Sequence, residues 1–151
     1  MTQKIFIRNA KQSDISTLVD YNQALANETE NIELNEKVLQ SGIEKALKLR
    51  GCHYFIAVLD DKIVGQSMIT GEWSDWRNGF MWWIQSVYVH PGFRKRGVFT
   101  SLLKYIEDLA KKKSEVKGLR LYVMKNNQSG INAYENLGMK NSGYVVYEKS
   151  H

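Results

Sequence analysis

The residues best suited to chemistry lie where an apolar run gives way to a basic, glycine-containing one. Residues 87–89 (Val-Tyr-Val) have the character of a strand end, and Arg94-Lys95-Arg96 follows between Gly92 and Gly97. Apolar residues then recur at helical spacing. The unpaired N–H groups and the dipole of a helix that begins at Gly97 would point at whatever lies above the loop. This pattern predicts an anion site, although a solvated basic loop also explains it.

Other phosphate and metal motifs are missing from the sequence. It has no Gly-x-x-x-x-Gly-Lys-[Ser/Thr] and no Gly-x-Gly-x-x-Gly after a strand, which argues against a nucleoside-triphosphate loop and a dinucleotide fold. The three histidines, His53, His90 and His151, are scattered, and Cys52 is the one cysteine. We therefore expect no metal and no intrachain disulfide.

The elements that must position the basic loop follow from the spacing of apolar and turn residues. Strands are predicted at 5–8, 54–58, 63–69, 80–89, 119–124 and 144–147, with a polar-aromatic loop at 73–79. Helices are predicted at about 12–27, from a cap at Asn35 to about Gly51, from Gly97 to the lysines at 111–113, and at 129–137, closed by a left-handed Gly138. The order β-α-α-β-β-β-α-β-α-β indicates a mixed α/β sheet with helices on both faces.

Composition narrows the class of protein further. A length of 151 residues without a low-complexity stretch fits a single domain, and no apolar run approaches the ~18 residues that span a bilayer. One cysteine favours a reducing compartment, so we expect a cytoplasmic protein without a membrane partner. The formal net charge of +5 raises the chance of an anionic partner.

At this point the sequence resembles a known family. The stretch 87–103, together with Asn127 and the segment 134–139 (Tyr-Glu-Asn-Leu-Gly-Met), is similar to the GCN5-related N-acetyltransferase (GNAT) family. The [Gln/Arg]-x-x-Gly-x-[Gly/Ala] loop of that family is matched by Arg94 and Gly97. The order of elements also matches along nearly the whole chain. The resemblance implies a GNAT-like acyl-CoA N-acyltransferase fold and one N-acetyltransferase domain over residues 1–151.

One position of the loop departs from the family pattern. Phe99 stands where the family has a small residue. Because the family's loop acts mainly through backbone N–H groups, the resemblance implies that the Phe99 side chain can point away from a bound phosphate. The departure affects the expected packing at this position more than the expected binding.

The resemblance implies acetyl-CoA as the cosubstrate. Residues 94–100 would hold its pyrophosphate, and residues 87–89 would pair with its pantetheine arm through main-chain hydrogen bonds, as an added strand does. The residues that it implies for cofactor binding are Val87, Tyr88, Val89, Arg94, Lys95, Arg96, Gly97, Val98, Phe99, Thr100, Asn127 and Tyr134.

The resemblance also implies two catalytic groups. An N–H of the fourth strand, at Val89 or its neighbour, would polarise the thioester carbonyl. Tyr134 occupies the family's tyrosine position and would act as general acid. A phenol with a pKa of ~10 can protonate a thiolate whose conjugate acid has a pKa of ~8.5.

The general base is less clear from the sequence. Many relatives have a glutamate two residues before Val87, but here the residue is Gln85, which cannot accept a proton at neutral pH. Glu28, Glu30 and Glu72 are the candidate carboxylates, with a water chain or buffer as alternatives. Glu28 is our prediction for the catalytic carboxylate.

The acceptor site is expected near the first two helices of the family fold. Glu28 and Glu30 would form an acidic rim that attracts a cationic amine, although a solvated helix end explains them equally well. Trp76 and Trp82 are the aromatic candidates for contacts with the acceptor. Core packing is an alternative for one of Trp82 and Trp83, because neighbouring strand residues face opposite ways.

The resulting functional prediction is an N-acetyltransferase that moves an acetyl group to a primary amine of a small molecule or peptide by direct attack on the thioester. One alternative is a CoA-binding domain without catalysis, for which Gln85 and Phe99 argue. The other is a basic nucleic-acid-binding module, but no aromatic-basic strand motif supports it, so we expect no nucleic acid. Because this family often forms dimers, a homodimer is among the expected assemblies.

Overall fold

A computed structural model of the protein describes residues 4–151. Its strands are β1 (Phe6–Asn9), β2 (Cys52–Leu59), β3 (Lys62–Ser74), β4 (Gly79–Val89) and β5 (Val116–Leu121), and its helices are α1 (Ile15–Glu30), α2 (Glu36–Ala46), α3 (Val98–Lys111) and α4 (Gln128–Asn136). The strands form one sheet in the order β1-β2-β3-β4-β5. All neighbours are antiparallel except β4 and β5, which are parallel. Within the described residues, no helix has both the length and the apolar character needed to cross a bilayer.

Helices cover both faces of the sheet, as the sequence predicts. The apolar stripe of α3, which includes Leu102 and Ile106, packs on the face that presents Phe55. The other face presents Ile56, the next residue along β2, and is covered by α1 and α2. Because successive strand residues point to opposite faces, one apolar strand serves both layers. The mixed α/β fold with two helical layers is therefore confirmed.

A partly buried ion pair connects β1 to the start of α1. The Arg8 guanidinium contacts both carboxylate oxygens of Asp14, at 2.8 and 3.1 Å, and the Lys11 backbone N–H donates to the same carboxylate at 2.8 Å. Burial alone would raise the pKa of Asp14, but these donors outweigh it and lower that pKa below its ordinary value. The carboxylate therefore contributes stability in its charged form.

We expect Asp14→Asn to lower the free energy of unfolding by about 2 kcal/mol at pH 7, because it leaves a partly buried guanidinium with a weaker partner. A group whose pKa is lower in the folded chain contributes stability above its unfolded pKa of ~3.9 and loses it as the pH falls through the folded value. Urea denaturation at pH 7 and pH 3 should therefore show a smaller gap between variant and wild type at pH 3. Asp20→Asn, an exposed change on α1, is the control, and an equal effect of the two changes would contradict the role of Asp14.

Several predicted boundaries differ from the observed ones. β3 continues to Ser74, so most of the predicted 73–79 loop is a four-residue turn between β3 and β4, with Asn78 in a left-handed conformation. β5 begins at Val116, three residues before the predicted start. The Asn35 cap is confirmed, since its side chain accepts from the Val38 N–H at 3.0 Å. These differences lengthen the hairpin but leave the order of elements unchanged up to α4.

The predicted last strand at residues 144–147 does not form in the described chain. The residues after α4 have no strand structure, and the four side chains of this segment are exposed. A strand requires an edge to pair with, and the hydrogen bonds found beyond residue 140 are local ones, such as that from the Gly143 N–H to the Asn141 side chain. The left-handed conformation predicted for Gly138 is confirmed, with φ of 88°.

Candidate functional site

β4 and β5 separate part-way along their length. They pair from Phe80 opposite Val116 to Ile84 opposite Leu121, and β4 then continues for five residues without β5 beside it. A β-bulge on the β3 side lies at the same level, where Ser86 has a left-handed φ of 53°. A bulge bends its strand and increases the local twist. This bulge lies at the level where the pairing of β4 with β5 ends and the cleft between them begins.

The free edge of β4 offers main-chain groups to this cleft. The His90 N–H donates to the Val64 carbonyl of β3 at 2.9 Å. Since successive N–H groups of a strand point to opposite sides, the Val89 N–H points away from β3 and toward the cleft. The Val89 carbonyl points the same way and accepts from Arg94 Nε at 2.9 Å.

The cleft has a volume of about 350 Å³ and is formed by α1, β4, α3 and α4 with the loop before α3. Its lining residues are Leu25, Glu28, Val87, Tyr88, Val89, Phe93, Arg94, Lys95, Gly97, Val98, Phe99, Thr100, Asn127, Ser129, Gly130 and Tyr134. Pockets for small molecules commonly have volumes of about 300–1,000 Å³. Every residue that the family resemblance implies for cofactor binding lies here, except Arg96.

One end of the cleft is positively polarised. Gly97 precedes the first residue of α3 and has a left-handed φ of 85°. The first N–H groups of α3 have no partner within the helix and carry the positive end of its dipole. Arg94 and Lys95 add formal positive charge, whereas the Arg96 guanidinium lies 5.4 Å from the Phe93 ring centre. A helix start of this kind attracts anions, including phosphate groups.

A carboxylate from α1 meets this basic end. Glu28 pairs with the Arg94 guanidinium at 2.8 Å and accepts from the Tyr88 hydroxyl at 3.4 Å. The Arg94 guanidinium also lies over the Tyr88 ring, 5.5 Å from its centre. The pKa of the Tyr88 phenol is raised, first by burial and then by the Glu28 charge. The cluster connects α1 to the loop before α3, so Glu28 belongs to the cleft.

Tyr134 reaches the cleft from α4. Its ring packs against Phe99 with 5.4 Å between ring centres. Phe99, which departs from the family pattern, therefore supports this tyrosine. Burial raises the pKa of the Tyr134 phenol, so its hydroxyl keeps its proton to a higher pH than a free tyrosine does.

Asn127 has a structural role at the start of α4. Its side-chain oxygen accepts from the Gly130 N–H at 2.9 Å and so caps the helix that carries Tyr134. A side chain at Gly130 would lie 2.5 Å from the Asn127 amide nitrogen, so the cap requires glycine there.

Some predicted site residues lie outside the cleft. Trp82 is 6% exposed and packs in the core on the α3 face, because it alternates with Trp83 along β4. Trp76 is 88% exposed in the turn between β3 and β4.

Two of the candidate carboxylates also lie outside the cleft. Glu30 is exposed at the end of α1, and Glu72 pairs with Arg120 at 2.8 Å. The cleft therefore includes Glu28 alone of the three candidate carboxylates.

The sequence analysis missed the residues that hold the bulge. Gln66 is fully buried, and its amide nitrogen donates to the Ser86 carbonyl at 3.0 Å. The Tyr54 hydroxyl, which accepts from Asn22 at 2.8 Å, belongs to the same polar group beneath β4. The sequence did offer one signal for this group, a glutamine within a strand that is otherwise largely buried, because a buried amide needs a hydrogen-bond partner.

Comparison with known proteins identifies the family. A model of the Acetyltransferase (GNAT) family matches residues 17–139, which include the whole cleft. The chain belongs to the GNAT acetyltransferase family. The family that the resemblance predicted is thus confirmed, and the cleft between β4 and β5 is the candidate active site of a GNAT acetyltransferase.

Three relatives illustrate the range of this GNAT family. A "possible acetyltransferase from Clostridium difficile 630" has 42% sequence identity and a TM-score of 0.90, and the alignment covers 97% of both chains. A "predicted acetyltransferase with acetyl-CoA" from Clostridium acetobutylicum has 22% identity and a TM-score of 0.78, covering 97% of this chain and 96% of its own. The "Thialysine N-epsilon-acetyltransferase" of Caenorhabditis elegans is 28% identical over 70% of this chain and 69% of its own length.

Proposed function

We propose that this GNAT chain transfers an acetyl group from acetyl-CoA to a primary amine of a small molecule or peptide. The observation that carries the proposal is the lining of a single cleft. The polarised start of α3, the free edge of β4 and Tyr134 all line it. These three features suit the diphosphate, the amide-containing arm and the thioester of acetyl-CoA.

Each part of the cleft offers groups that suit one part of acetyl-CoA. The N–H groups from Gly97 to Thr100, with Arg94 and Lys95, would hold the diphosphate. The edge of β4 would exchange hydrogen bonds with the amides of the arm, as a strand does with its neighbour. The clostridial relative named with acetyl-CoA supports the same choice of cosubstrate.

The chain's residues have distinct roles in the proposed reaction. Acetyl-CoA supplies an acetyl group activated as a thioester. As the amine nitrogen bonds to the carbonyl carbon, negative charge develops on the thioester oxygen. The Val89 N–H would stabilise this charge, and one such hydrogen-bond donor lowers the activation free energy by roughly 3 kcal/mol. Tyr134 would donate its proton to the sulfur as the carbon–sulfur bond breaks.

The amine must lose a proton for this reaction to balance. The Gln85 amide donates to the Thr70 hydroxyl at 2.6 Å and cannot take that proton. We propose Glu28 as the acceptor of the proton, directly or through water, because it is the carboxylate that lines the cleft. Its charge would also attract a cationic amine.

We expect Glu28→Gln to raise the acceptor KM about fivefold and to lower turnover by a similar factor. The change keeps the shape of the side chain but removes both the negative charge and the proton acceptor. Steady-state kinetics with a diamine acceptor, at low and high salt, measures both effects. The KM effect should shrink with added salt because the attraction is screened.

Glu30→Gln is the matched control. It removes the same charge from an exposed position on the same helix, outside the cleft. We expect it to change KM and turnover by less than twofold. If the two variants behave alike, Glu28 has no specific role at the cleft.

An acceptor screen tests the proposed function as a whole. Release of free thiol from acetyl-CoA is followed with polyamines, amino acids, lysine-like amines, antibiotic amines and peptides as acceptors. Lysine-like amines belong in the screen because one relative bears the name of a thialysine acetyltransferase. We expect rapid, acceptor-dependent thiol release with at least one primary amine. Binding of acetyl-CoA without release for any amine would favour the non-catalytic alternative.

A further inference from the structure

The alternation of side chains along β4 changes at Ser86. Before this residue, the even-numbered Trp82 and Ile84 pack in the core on the α3 face of the sheet. After it, the odd-numbered Val87 and Val89 pack on that same face. Successive residues of a regular strand face opposite ways, so a regular β4 would keep one parity throughout. An extra residue in β4 accounts for the change.

The pairing with β3 locates the extra residue. Gln66 of β3 lies opposite Tyr88 of β4. Two residues further along β3, Met68 lies opposite Gln85, so the single residue Ser67 stands opposite two residues of β4. This two-to-one count is that of a β-bulge, which interrupts the regular ladder of main-chain hydrogen bonds. The main-chain groups beyond the bulge therefore change sides together with the side chains.

Two buried side chains of β3 bind the main chain of β4 at the bulge. The Gln66 amide nitrogen donates to the Ser86 carbonyl at 3.0 Å. The Ser67 hydroxyl donates to the Gln85 carbonyl at 3.4 Å. Both side chains are fully buried, and because they are neighbours in a strand they reach β4 from opposite faces of the sheet. Side chains thus hold β4 at the level where the ladder is interrupted.

Packing alone does not explain a glutamine at position 66. Its amide oxygen is buried and has no hydrogen-bond partner within residues 4–151. A buried polar atom without a partner costs stability, whereas a methionine would fill a similar space without that cost. The gain from the amide lies in its hydrogen bond to the Ser86 carbonyl. The choice of side chain therefore points to a role at the bulge.

We propose that Gln66, assisted by Ser67, is a positioning residue of the acetyl transfer. It holds the bulge that directs the Val89 N–H into the cleft. A shift of one residue along β4 would turn this N–H toward β3. The inference rests on the proposed function, in which the Val89 N–H stabilises the charge on the thioester oxygen. Gln66 does not itself line the cleft and acts through the main chain of β4.

Infrared spectroscopy of bound acetyl-CoA tests this role. The full chain is mixed, without an acceptor, with acetyl-CoA that carries ¹³C in the acetyl carbonyl, and subtraction of the unlabelled complex isolates the stretch of that carbonyl. A hydrogen-bond donor directed at the carbonyl oxygen polarises the bond and lowers its frequency relative to free acetyl-CoA. We expect this lowering in the wild-type chain. Gln66→Met should lose at least half of it.

Turnover should follow the carbonyl frequency. A small misplacement of a group at the reacting atoms costs rate, so we expect Gln66→Met to lower turnover at least about fivefold. The KM of the acceptor and the affinity for CoA should stay within about twofold, because the substitution leaves the lining of the cleft in place. Circular dichroism verifies that the variant is folded.

Gln23→Met is the matched control. Gln23 also binds the main chain of another segment, since its side chain accepts from the Leu34 N–H at 3.0 Å and donates to the Leu34 carbonyl at 2.8 Å. It lies outside the cleft, so we expect the wild-type carbonyl frequency and turnover within about twofold. The same frequency and turnover in Gln66→Met and Gln23→Met would overturn the positioning role.

Ser67→Ala provides a second variant in case Gln66→Met does not fold. It removes only a hydroxyl, and we expect a smaller change of frequency and turnover in the same direction. Wild-type values in Ser67→Ala, beside an unfolded Gln66→Met, would overturn the inference. A wild-type chain that turns over without a lowered carbonyl frequency would do so too. Failure of the proposed function is distinguishable, because the wild-type chain itself would then release no thiol with any amine.

Discussion

A Gly97→Asp variant should bind CoA at least thirtyfold more weakly than the wild-type chain. Gly97 lies at the polarised end of the cleft in a left-handed conformation, and a side chain there meets no protein atom within 4 Å. Aspartate tolerates that conformation and is favourable at a helix N-terminus, so α3 should still form. Its charge, however, would lie where the diphosphate binds. Repulsion between two charges at about 4 Å costs about 4 kcal/mol near a surface, and salt reduces it to about 2 kcal/mol, which is thirtyfold.

Gly51→Asp is the matched control for this charge. Gly51 has nearly the same left-handed φ, 84°, also has open space for a side chain, and lies outside the cleft. Both variants should therefore lose a similar amount of stability through backbone strain, which thermal denaturation measures. Calorimetric titration with CoA should separate them. Equal CoA affinity in the two variants would show that the start of α3 does not hold the diphosphate.

Tyr134→Phe should lower turnover at least tenfold and leave the affinity for CoA within about twofold. The change removes one hydroxyl and keeps the ring that packs on Phe99. A positioned general acid typically contributes 10²- to 10⁴-fold, so tenfold is a lower bound. Steady-state kinetics and calorimetry measure the two quantities separately. Unchanged turnover would remove Tyr134 from the catalytic mechanism.

The pH dependence gives a second test of the same hydroxyl. Burial raises the pKa of Tyr134, and an acid with a raised pKa stays protonated, and hence active, until the pH passes that higher value. The alkaline fall in turnover should therefore begin above the ordinary tyrosine pKa of ~10 and should be absent in Tyr134→Phe. Tyr105→Phe is a control, because that ring packs edge-on against Phe55 outside the cleft.

Local signals in the sequence were sufficient to predict the start of α3, the end of α4 and the two helical layers. The start of α3 after Gly97 follows from a glycine before an apolar stripe, and the end of α4 follows from Gly138. Both positions require a left-handed backbone, which glycine adopts at the lowest cost. The two helical layers follow from β2, where Phe55 and Ile56 are both apolar and face opposite ways.

Features that depend on several distant residues could not be predicted. The bulge at Ser86 requires Gln66 on another strand to bind its carbonyl, and no local pattern reports that pairing. The choice between Trp82 and Trp83 for the core depends on the register of β4, because a shift of one residue would exchange their faces.

The predicted strand at residues 144–147 illustrates the same limit. Its residues are of the types that are enriched in strands, but the prediction was wrong because a strand forms only where it pairs with another strand. The path of the chain after α4 decides whether such a partner is within reach, and no local pattern reports that path.

Calorimetric titration of the full chain with acetyl-CoA tests the central claim most directly. We expect saturable heat with one site per chain, and an enthalpy that becomes more negative as temperature rises, since binding buries apolar surface. Measurement at 15 and 30 °C prevents an enthalpy near zero from concealing binding at one temperature. The absence of saturable heat at both temperatures, with folded protein, would contradict the account of the cleft between β4 and β5 as a site for acetyl-CoA.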